Sequence, residues 1–401
     1  IMKKADFLLI GGGIIGISIA RELKKRYPTS SVCILEKESE CGLHASGRNS
    51  GVLHAGFYYT ADSLKARFTR DGNKKLTEYC DAKNIKINKC GKLVVAQNES
   101  ELKWLDELMV RASKNGVPLE SITAEETVAI EPRAITFQRA LFSPSTSSVN
   151  PHDLLQALQL DAITEGVEIL TNIKYLQRKK NKVIQTSNGP FEAGYFINVA
   201  GLYADKIGRD FGFSEDYRVL PFKGLYLYSN EPAGSLKTHI YPVPDLANPF
   251  LGVHLTVTTN GKVKLGPTAI PAFWREQYEG WDNFNFNELS EILLRQAGLF
   301  LSSNFDFKAL AFREIKKYSR TKLVSLASSL AKGVEIKNYR QWGKPGIRAQ
   351  LLNIREKKLE MDFVLEGDKE SMHILNAVSP GFTCALPFAE YVCDQIDGKT
   401  N

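Results

Sequence analysis

Residues 5–16 have the sequence ADFLLIGGGIIG, an apolar run followed at once by a cluster of glycines. The glycines fit the G-x-G-x-x-G pattern at Gly11, Gly13 and Gly16. Apolar residues then recur every fourth position, at Ile15, Ile19 and Leu23. This spacing predicts a helix that begins at the glycines. Residues 31–35 (SVCIL) predict a second buried strand, so the stretch forms a β–α–β unit and indicates an α/β fold.

Each part of this unit has a physical role at a nucleotide. Gly11 permits the tight turn, Gly13 lets the backbone approach a pyrophosphate, and Gly16 lets the helix pack close to the strand. The helix N-terminus offers N–H groups and a positive dipole end to phosphates. Glu36 ends the second strand, where a carboxylate accepts hydrogen bonds from a ribose and disfavours the 2′-phosphate of NADP. The unit therefore predicts a Rossmann-type site for FAD or NAD.

The segment 44–59 bears on the choice between these two cofactors. It is rich in glycine and small polar residues and follows the second predicted strand directly. Such a loop can bring many backbone N–H groups to a ring system and a ribityl chain. The segment therefore favours FAD.

Seven separated segments carry a resemblance to a known family. They are ASGRNSGVLHAGFYY at 45–59, VAGLYAD at 199–205, YPVP at 241–244, PFLGVHLT at 249–256, KLGPTAIPAFWREQY at 264–278, GKPGIRAQLLN at 343–353 and HILNAVSPGFTCAL at 373–386. With them the sequence resembles the D-amino-acid-oxidase-like FAD-dependent oxidoreductases, and within these the L-2-hydroxyglutarate dehydrogenase/oxidase family. Two departures are REQY at 275–278, where the family usually has a glycine before the tyrosine, and HASGRNSG at 44–51.

The resemblance implies a two-domain architecture. A discontinuous Rossmann-type FAD-binding domain would comprise 1–84, 146–214 and 336–401. An α+β substrate-binding domain with a large mixed or antiparallel sheet would comprise 85–145 and 215–335, and its sheet would cover the flavin.

The glycine motif and the resemblance together predict the residues that contact FAD. They are Gly11, Gly13, Ile14, Ile15, Gly16, Glu36, Lys37, Ser46, Arg48, Asn49, Ser50, Gly51, Val52, Ile173, Ala200, Gly201, Gly346, Ile347, Arg348, Pro380, Gly381, Phe382 and Thr383. Cys384 is a candidate for covalent flavin attachment, although a buried apolar thiol is the simpler interpretation.

Oxidation of a 2-hydroxy acid needs a cation for the carboxylate and a base for the hydroxyl proton. Arg348, in a glycine-rich turn, is the candidate cation, because its guanidinium pairs bidentately with a carboxylate. Its alternative interpretation is a surface arginine. His54 and His254 both remain candidates for the base, since imidazole titrates near neutral pH. His254 lies in an apolar strand, where a lone histidine is often a core residue.

A second carboxylate on the substrate would need further polar partners. Lys223, Tyr241 and Arg275 are the candidates, and structural packing is the alternative for each. The resemblance implies FAD-dependent oxidation of L-2-hydroxyglutarate to 2-oxoglutarate, with oxygen or a membrane quinone as electron acceptor. A glycine, sarcosine or D-amino-acid oxidase of the same superfamily is the alternative enzyme, and a non-catalytic flavin-binding module is the alternative of another class.

The composition limits the remaining classes. With 401 residues, 43% of them apolar and 24% charged, the chain can bury a large core, which excludes a disordered or polytopic membrane protein. Lys and Arg (52) exceed Asp and Glu (45) by seven, an excess that fits a small anionic substrate better than nucleic acid.

Cysteine and histidine spacing and the N-terminal residues complete the sequence predictions. Six cysteines without C-x-x-C spacing and six histidines without ligand spacing predict free thiols and no metal site. Asp6 and the glycines argue against a signal peptide at 1–20. We expect a cytoplasmic protein, with peripheral contact to the inner membrane left open.

Overall fold

The computed structural model describes residues 2–246, 250–302 and 306–400 and divides into two compact units. The first unit comprises Ile1–Asn49, Pro151–Pro221 and Arg348–Asn401, and the second comprises Ser50–Asn150 and Phe222–Ile347. Pro249, the first residue of the segment 249–256, lies outside the described residues.

The first unit is built on the predicted β–α–β unit. The strand Lys3–Ile10 pairs in parallel with Val32–Leu35 on one side and with Gly189–Asn198 on the other. The sheet continues in both directions with Val167–Leu170, Val183–Thr186, Tyr175–Arg178, Ser371–Asn376 and Val364–Gly367. The helices of this unit are Ile14–Arg26, Pro151–Thr164, Ala204–Asp210 and Gly381–Thr400. The prediction of an α/β fold is confirmed.

The second unit contains a large mixed sheet. Its strands, in spatial order, are Gln341–Trp342, Leu227–Tyr228, Val263–Gly266, His254–Val257, His239–Pro242, Lys92–Val95, Arg139–Ser143 and Glu120–Thr123. All neighbours are antiparallel except His239–Pro242 and Lys92–Val95, which run in parallel. A smaller sheet joins Val52–Leu53, Ser147–Val149 and Ile87–Asn88.

Helices surround the strands of the second unit. They are Leu64–Ala82, Glu99–Asn115, Ala124–Ile130, Phe286–Ser302, Phe307–Ile315 and Arg320–Ser328. Two further strands, Tyr217–Gly224 and Gly346–Asn353, carry the chain from one unit to the other.

The large sheet buries two chemically different faces. Alternate residues of its strands, such as Leu93, Ile240, Leu255 and Leu265, join one apolar core with side chains of the helix Arg320–Ser328. Because side chains alternate across a strand, the residues between them point to the opposite face. That opposite face carries most of the polar side chains described below.

The unit boundaries differ from the expected domain boundaries. Residues 50–84, 146–150 and 336–347 fall in the second unit, and 215–221 fall in the first. The physical reason for the first difference is strand pairing, because Val52–Leu53 joins the small sheet of the second unit. The assignment of FAD to the first unit and of substrate to the second stays a prediction.

Candidate active site

The glycine turn of the first unit needs its glycines for steric reasons. Gly11 has a φ of +123°, and a Cβ there would lie 2.4 Å from the carbonyl oxygen of Val199. A Cβ on Gly16 would lie 2.2 Å from the carbonyl oxygen of Gly11. The strand, the turn and the helix can approach this closely only without side chains at these positions.

Gly13 precedes the helix Ile14–Arg26, which has no acidic residue in its first turn. The N–H of Ile14 donates to Ser46 Oγ at 2.9 Å, so the segment after the second strand is held against the helix N-terminus. The first N–H groups of a helix have no partner within the helix and carry its positive dipole end. This terminus can therefore bind phosphate.

Glu36 is buried beside the same turn. Its Oε2 accepts from Gly12 N at 2.8 Å and its Oε1 from Glu38 N at 2.9 Å. The predicted contact residue Ile173 is brought to the same place, because its N–H donates to the Glu36 carbonyl oxygen at 2.9 Å. The next residue, Lys37, pairs with Glu38 at 2.7 Å.

Apart from Arg348, the other predicted cofactor residues of the first unit lie in three groups. In the segment after the second strand, Arg48 Nε donates to the Leu43 carbonyl oxygen at 2.8 Å and Asn49 Nδ2 to the Ser46 carbonyl oxygen at 2.7 Å. A Cβ on Gly381 would lie 3.7 Å from Ile15 Cδ1, so the start of the last helix reaches the glycine helix. The remaining members are Ala200 and Gly201, which follow the strand Gly189–Asn198, and Pro380, Phe382 and Thr383, which adjoin Gly381.

Five of the predicted cofactor residues belong to the second unit. They are Ser50, Gly51, Val52, Gly346 and Ile347. The structure thus groups them with the large mixed sheet, and the turn Gly11–Gly16 belongs to the other unit.

The first unit fits FAD on its own geometry. Gly11 and Gly16 allow the close strand–turn–helix packing of a dinucleotide site, and the helix Ile14–Arg26 begins at this turn without an acidic residue in its first turn. Glu36 is buried at the end of the second strand, where a carboxylate can accept hydrogen bonds from a ribose. Cys384 is fully buried in the helix Gly381–Thr400, as a core thiol would be.

The polar face of the large sheet in the second unit holds the candidate chemistry. Lys92, His239, Tyr241, His254, Thr256 and Lys264 are buried on adjacent strands. Thr256 pairs with Lys264 and His254 with Gly266, while His239 pairs with Lys92. Buried polar side chains normally find hydrogen-bond partners. On this face Lys92 Nζ has none, and neither has the hydroxyl of the neighbouring Tyr58.

His254 is held in one orientation. Its Nδ1 lies 2.8 Å from the carbonyl oxygen of Gly252. A carbonyl only accepts, so Nδ1 carries the proton and Nε2 carries the lone pair of the neutral ring. The ring of Tyr241 stacks on the imidazole, with centroids 3.7 Å apart and planes 11° apart. The structure therefore brings together the predicted residues Tyr241 and His254.

His54 is buried in the same unit, just after the strand Val52–Leu53. Burial lowers its pKa well below the ordinary value, and the charges of Lys92, His254 and His239 lower it further. His54 is therefore an uncharged imidazole at neutral pH.

Lys92 was not singled out by the sequence, although it is central to this cluster. Its ammonium lies 4.7, 4.4 and 4.6 Å from the ring centroids of Phe57, Tyr58 and Tyr241. Burial lowers its pKa to about 7. Cation–π contacts on three sides partly replace the water that the ammonium has lost.

Lys264 is a second lysine that the sequence analysis missed. Its ammonium lies 4.9 Å from the ring centroid of Tyr226, and burial lowers its pKa to about 8. Among the described residues neither Lys92 nor Lys264 forms an ion pair, so both charges lack a counter-charge from the protein.

Two predicted substrate contacts have acidic neighbours. Arg275 is fully buried, and its Nη2 lies 3.8 Å from Glu291. Burial lowers the pKa of Lys223, and Glu279 and Asp282 oppose this effect. Both cations are thus at least partly neutralised within the protein, and Lys264 is better suited to an anionic ligand.

His239, by contrast, has a structural environment. Its Nδ1 accepts from Val257 N at 3.0 Å, and its Nε2 lies 3.3 Å from Cys90 Sγ. Burial and the charges of Lys92 and Lys264 lower its pKa to about 3. Both ring nitrogens are thus engaged within the sheet.

Arg348 lies at a junction of the two units. It is half-buried on the strand Gly346–Asn353 and is the first residue of the last segment of the first unit. Its role as a carboxylate partner stays a prediction.

Solved structures show the same fold. The L-alpha-glycerophosphate oxidase from Mycoplasma pneumoniae, with FAD bound, matches with a TM-score of 0.79 at 22% identity, over 99% of this chain and 95% of that one. The glycine oxidase from Geobacillus kaustophilus matches with a TM-score of 0.75 at 19% identity, over 100% of this chain and 96% of that one. At such identities the likeness concerns the fold alone.

Sequence relatives are more specific. The family model "FAD dependent oxidoreductase" matches residues 6–395. An L-2-hydroxyglutarate dehydrogenase of Escherichia coli (strain UMN026) is 35% identical over 98% of this chain and 93% of its own length. The human mitochondrial L-2-hydroxyglutarate dehydrogenase is 34% identical over 98% of this chain and 89% of its own length. The chain therefore belongs to the FAD-dependent oxidoreductases and, within them, to the family of the L-2-hydroxyglutarate dehydrogenases.

Proposed function

We propose that the protein oxidises L-2-hydroxyglutarate to 2-oxoglutarate with FAD as its cofactor. The observation that carries the proposal is the buried polar face on which His254 and Lys264 lie on paired strands, where Lys264 forms no ion pair among the described residues. A substrate with two carboxylates supplies the missing negative charge. The identity of about a third to the named dehydrogenases points to the same substrate.

The reaction removes two hydrogens from the substrate. The C2–H bond breaks with its electron pair, the hydroxyl proton leaves to a base, and the C2=O bond forms. Bound FAD supplies the acceptor for the electron pair and the C2 hydrogen. We assign the proton to Nε2 of His254, because the bond from Nδ1 to Gly252 leaves the lone pair on that atom. His54 is the alternative base, and burial holds its pKa well below the ordinary value.

The two carboxylates require two cationic positions. We propose Arg348 for the carboxylate next to the reacting carbon and Lys264 for the distal one. Tyr241 then orients His254 by stacking instead of contacting the substrate. The residues that would hold FAD are those of the glycine turn, Glu36, and the start of the helix Gly381–Thr400.

An amine or amino-acid oxidase is the second candidate. The likeness to glycine oxidase at 19% identity favours only the shared fold. Glycine carries one carboxylate, which would pair with Arg348 and leave Lys264 without a counter-charge. The dicarboxylate is therefore the better match to this site.

The substrate test is anaerobic reduction of the yellow holoenzyme. L-2-hydroxyglutarate should bleach the flavin absorbance near 450 nm. Arg348→Met should raise the concentration of L-2-hydroxyglutarate that gives half reduction by about tenfold to a hundredfold, because one charged pair is lost.

The same measurement should depend on pH. Because the pKa of Lys264 is about 8, its charge falls as the pH rises through 8. The concentration for half reduction should accordingly be higher at pH 9 than at pH 7.

The controls are the D enantiomer, L-lactate and glycine. L-lactate has the same reacting group and lacks the distal carboxylate, so it should act only at a much higher concentration. Bleaching by glycine or sarcosine in preference to L-2-hydroxyglutarate would replace the proposed function by the amine-oxidase alternative.

We further propose that the protein, in the cytoplasm, contacts an anionic lipid surface and passes electrons to a quinone there. Among the described residues no helix is both long and apolar enough to cross a bilayer. The helix Phe286–Ser302 nevertheless exposes Leu294 (75%) and Leu301 (85%) on one side. Trp281 is also 77% exposed. Exposed cations follow this helix in the sequence, at Lys308, Arg313, Lys316 and Lys322. Such a combination fits the interface of a bilayer.

Co-sedimentation with vesicles tests this surface. We expect the holoenzyme to bind phosphatidylglycerol vesicles more strongly than phosphatidylcholine vesicles, and Leu294→Asp with Leu301→Asp to weaken binding by about tenfold or more, since each buried leucine contributes about 1.5–3 kcal/mol. Leu160→Asp, at an exposed leucine of the first unit (64%), is the matched control. Unchanged binding in the double variant would refute the surface, and concentration-dependent dimers would assign it to a second copy. Reoxidation by oxygen as fast as by a quinone analogue would remove the quinone from the proposal.

A further inference from the structure

Lys92 has a position that the proposed reaction does not use. It lies on the strand Lys92–Val95, fully buried, and its ammonium has no hydrogen-bond partner among the described residues. A buried ammonium without a carboxylate is costly, so its presence calls for an explanation beyond packing.

The three rings around Lys92 come from two separate parts of the chain. Phe57 and Tyr58 belong to the segment that begins with His54, and their ring centroids are 4.4 Å apart. Tyr241 belongs to the strand His239–Pro242 and stacks on His254. Lys92 is therefore a common contact of the two segments that carry or orient the two candidate bases.

The charged and titratable groups around His54 that shift its pKa all lower it. Lys92, His254 and His239 each lower the pKa of His54, in addition to burial. The hydroxyls of Tyr58 and Tyr241 are held in their neutral form by burial, which raises the pKa of each. None of these groups supplies the negative charge that would favour a protonated His54.

We infer that Lys92 is a positioning residue that places a positive charge beside the His54 segment and fixes the aromatic wall against which His254 is oriented. A protonated His54 would place a positive charge near His254 and would oppose the transfer of the substrate proton to it. The inference rests on the proposed role of His254 only in this last step. The charge state of His54 can be measured without any turnover.

NMR of the holoenzyme labelled with ¹³C at the histidine Cε1 atoms measures the imidazole pKa values directly. The chain has only six histidines, and single His→Gln variants assign their signals. Lys92→Met retains the volume and removes the charge. We expect it to raise the pKa of His54 by about one pH unit or more, as removal of a nearby like charge does, and to raise the pKa of His239.

Lys264→Met is the matched control. Lys264 lowers the pKa of His239 and is not among the causes that act on His54. Lys264→Met should therefore raise the pKa of His239 and leave the pKa of His54 unchanged. The pKa of His152, in the first unit, should be the same in both variants as in the unaltered protein. An unchanged pKa of His54 in Lys92→Met would overturn the inference.

The pH profile of kcat/KM connects this charge to the reaction. In Lys92→Met the acidic limb of the profile should lie at higher pH than in the unaltered protein. In Lys92→Arg, which keeps the charge, the acidic limb should lie close to that of the unaltered protein. If the pKa of His54 shifts and the acidic limb does not, the electrostatic role of Lys92 stands and the assignment of the proton to His254 fails. If Lys92→Met does not fold, Phe57→Leu, which removes one ring from the ammonium, should give a smaller shift of the same sign.

Discussion

Replacement of His254 by glutamine is expected to lower kcat by about 10²–10⁴-fold, the range for loss of a general base. Glutamine keeps a polar side chain of similar size on the strand His254–Val257 and cannot take up the substrate proton. Flavin content should be unchanged, because the glycine turn, Glu36 and the start of the last helix lie in the first unit. Stopped-flow reduction of the flavin measures the effect on the chemical step without product release.

Two histidine variants identify the base. His54→Gln should lower kcat less than His254→Gln does, since the pKa of His54 is already held well below the ordinary value. His152→Gln, in the first unit, should have no effect on flavin reduction. A larger decrease of kcat in His54→Gln than in His254→Gln would make His54 the base instead of His254. Losses below about tenfold in both variants would remove both imidazoles from the proton transfer.

Replacement of Gly13 by aspartate is expected to weaken FAD binding by about tenfold to a hundredfold without unfolding the protein. Gly13 is the N-cap of the helix Ile14–Arg26, with φ −78° and ψ 176°, a conformation open to any residue. Aspartate is a favourable N-cap, so the stability of the apoprotein should stay equal or rise by a few tenths of a kcal/mol. Its carboxylate would compete with a phosphate for the same N–H groups, a loss of about 1.5–3 kcal/mol.

Gly13→Ala distinguishes the effect of the aspartate charge on FAD binding from the effect of an added side chain. A Cβ at Gly13 would lie 3.0 Å from Ser46 Oγ, so a small shift of that side chain accommodates it. We expect alanine to weaken FAD binding much less than aspartate does, by fluorescence titration of the apoprotein. Equal losses in both variants would mean that close approach of the backbone, and not the helix dipole, dominates. Full retention of FAD by the aspartate variant would rule out phosphate binding at this terminus.

Much of the FAD-binding unit could be predicted because its signals are local. The strand, turn, helix and second strand occupy the first 36 residues, and each shows its own periodicity. Ile173, far away in the sequence, was predicted as a contact of FAD, and in the structure its N–H donates to the Glu36 carbonyl oxygen. Tyr241 and His254 were likewise both named, and they form a stacked pair.

The two lysines could not be predicted for a physical reason. In sequence, Lys92 and Lys264 look like ordinary lysines at strand ends, which are usually solvated. Their burial arises from pairing between strands that are distant in the chain, Lys92 with His239 and Lys264 with Thr256. The change of compact unit near residue 50 has the same origin, since it follows from the pairing of Val52–Leu53 with Ser147–Val149 and leaves no local signal in the sequence.

The discontinuity of the first unit has a consequence for synthesis of the chain. Its central strand, Lys3–Ile10, is made before the second unit, but the strand Ser371–Asn376 and the helix Gly381–Thr400 are made after it. The second unit ends at Ile347 and has all of its residues earlier. A domain can close only when its last segment is available. The motif that is translated before the second unit is therefore completed after it, so a cofactor held by the first unit can be captured only once the helix Gly381–Thr400 has been made.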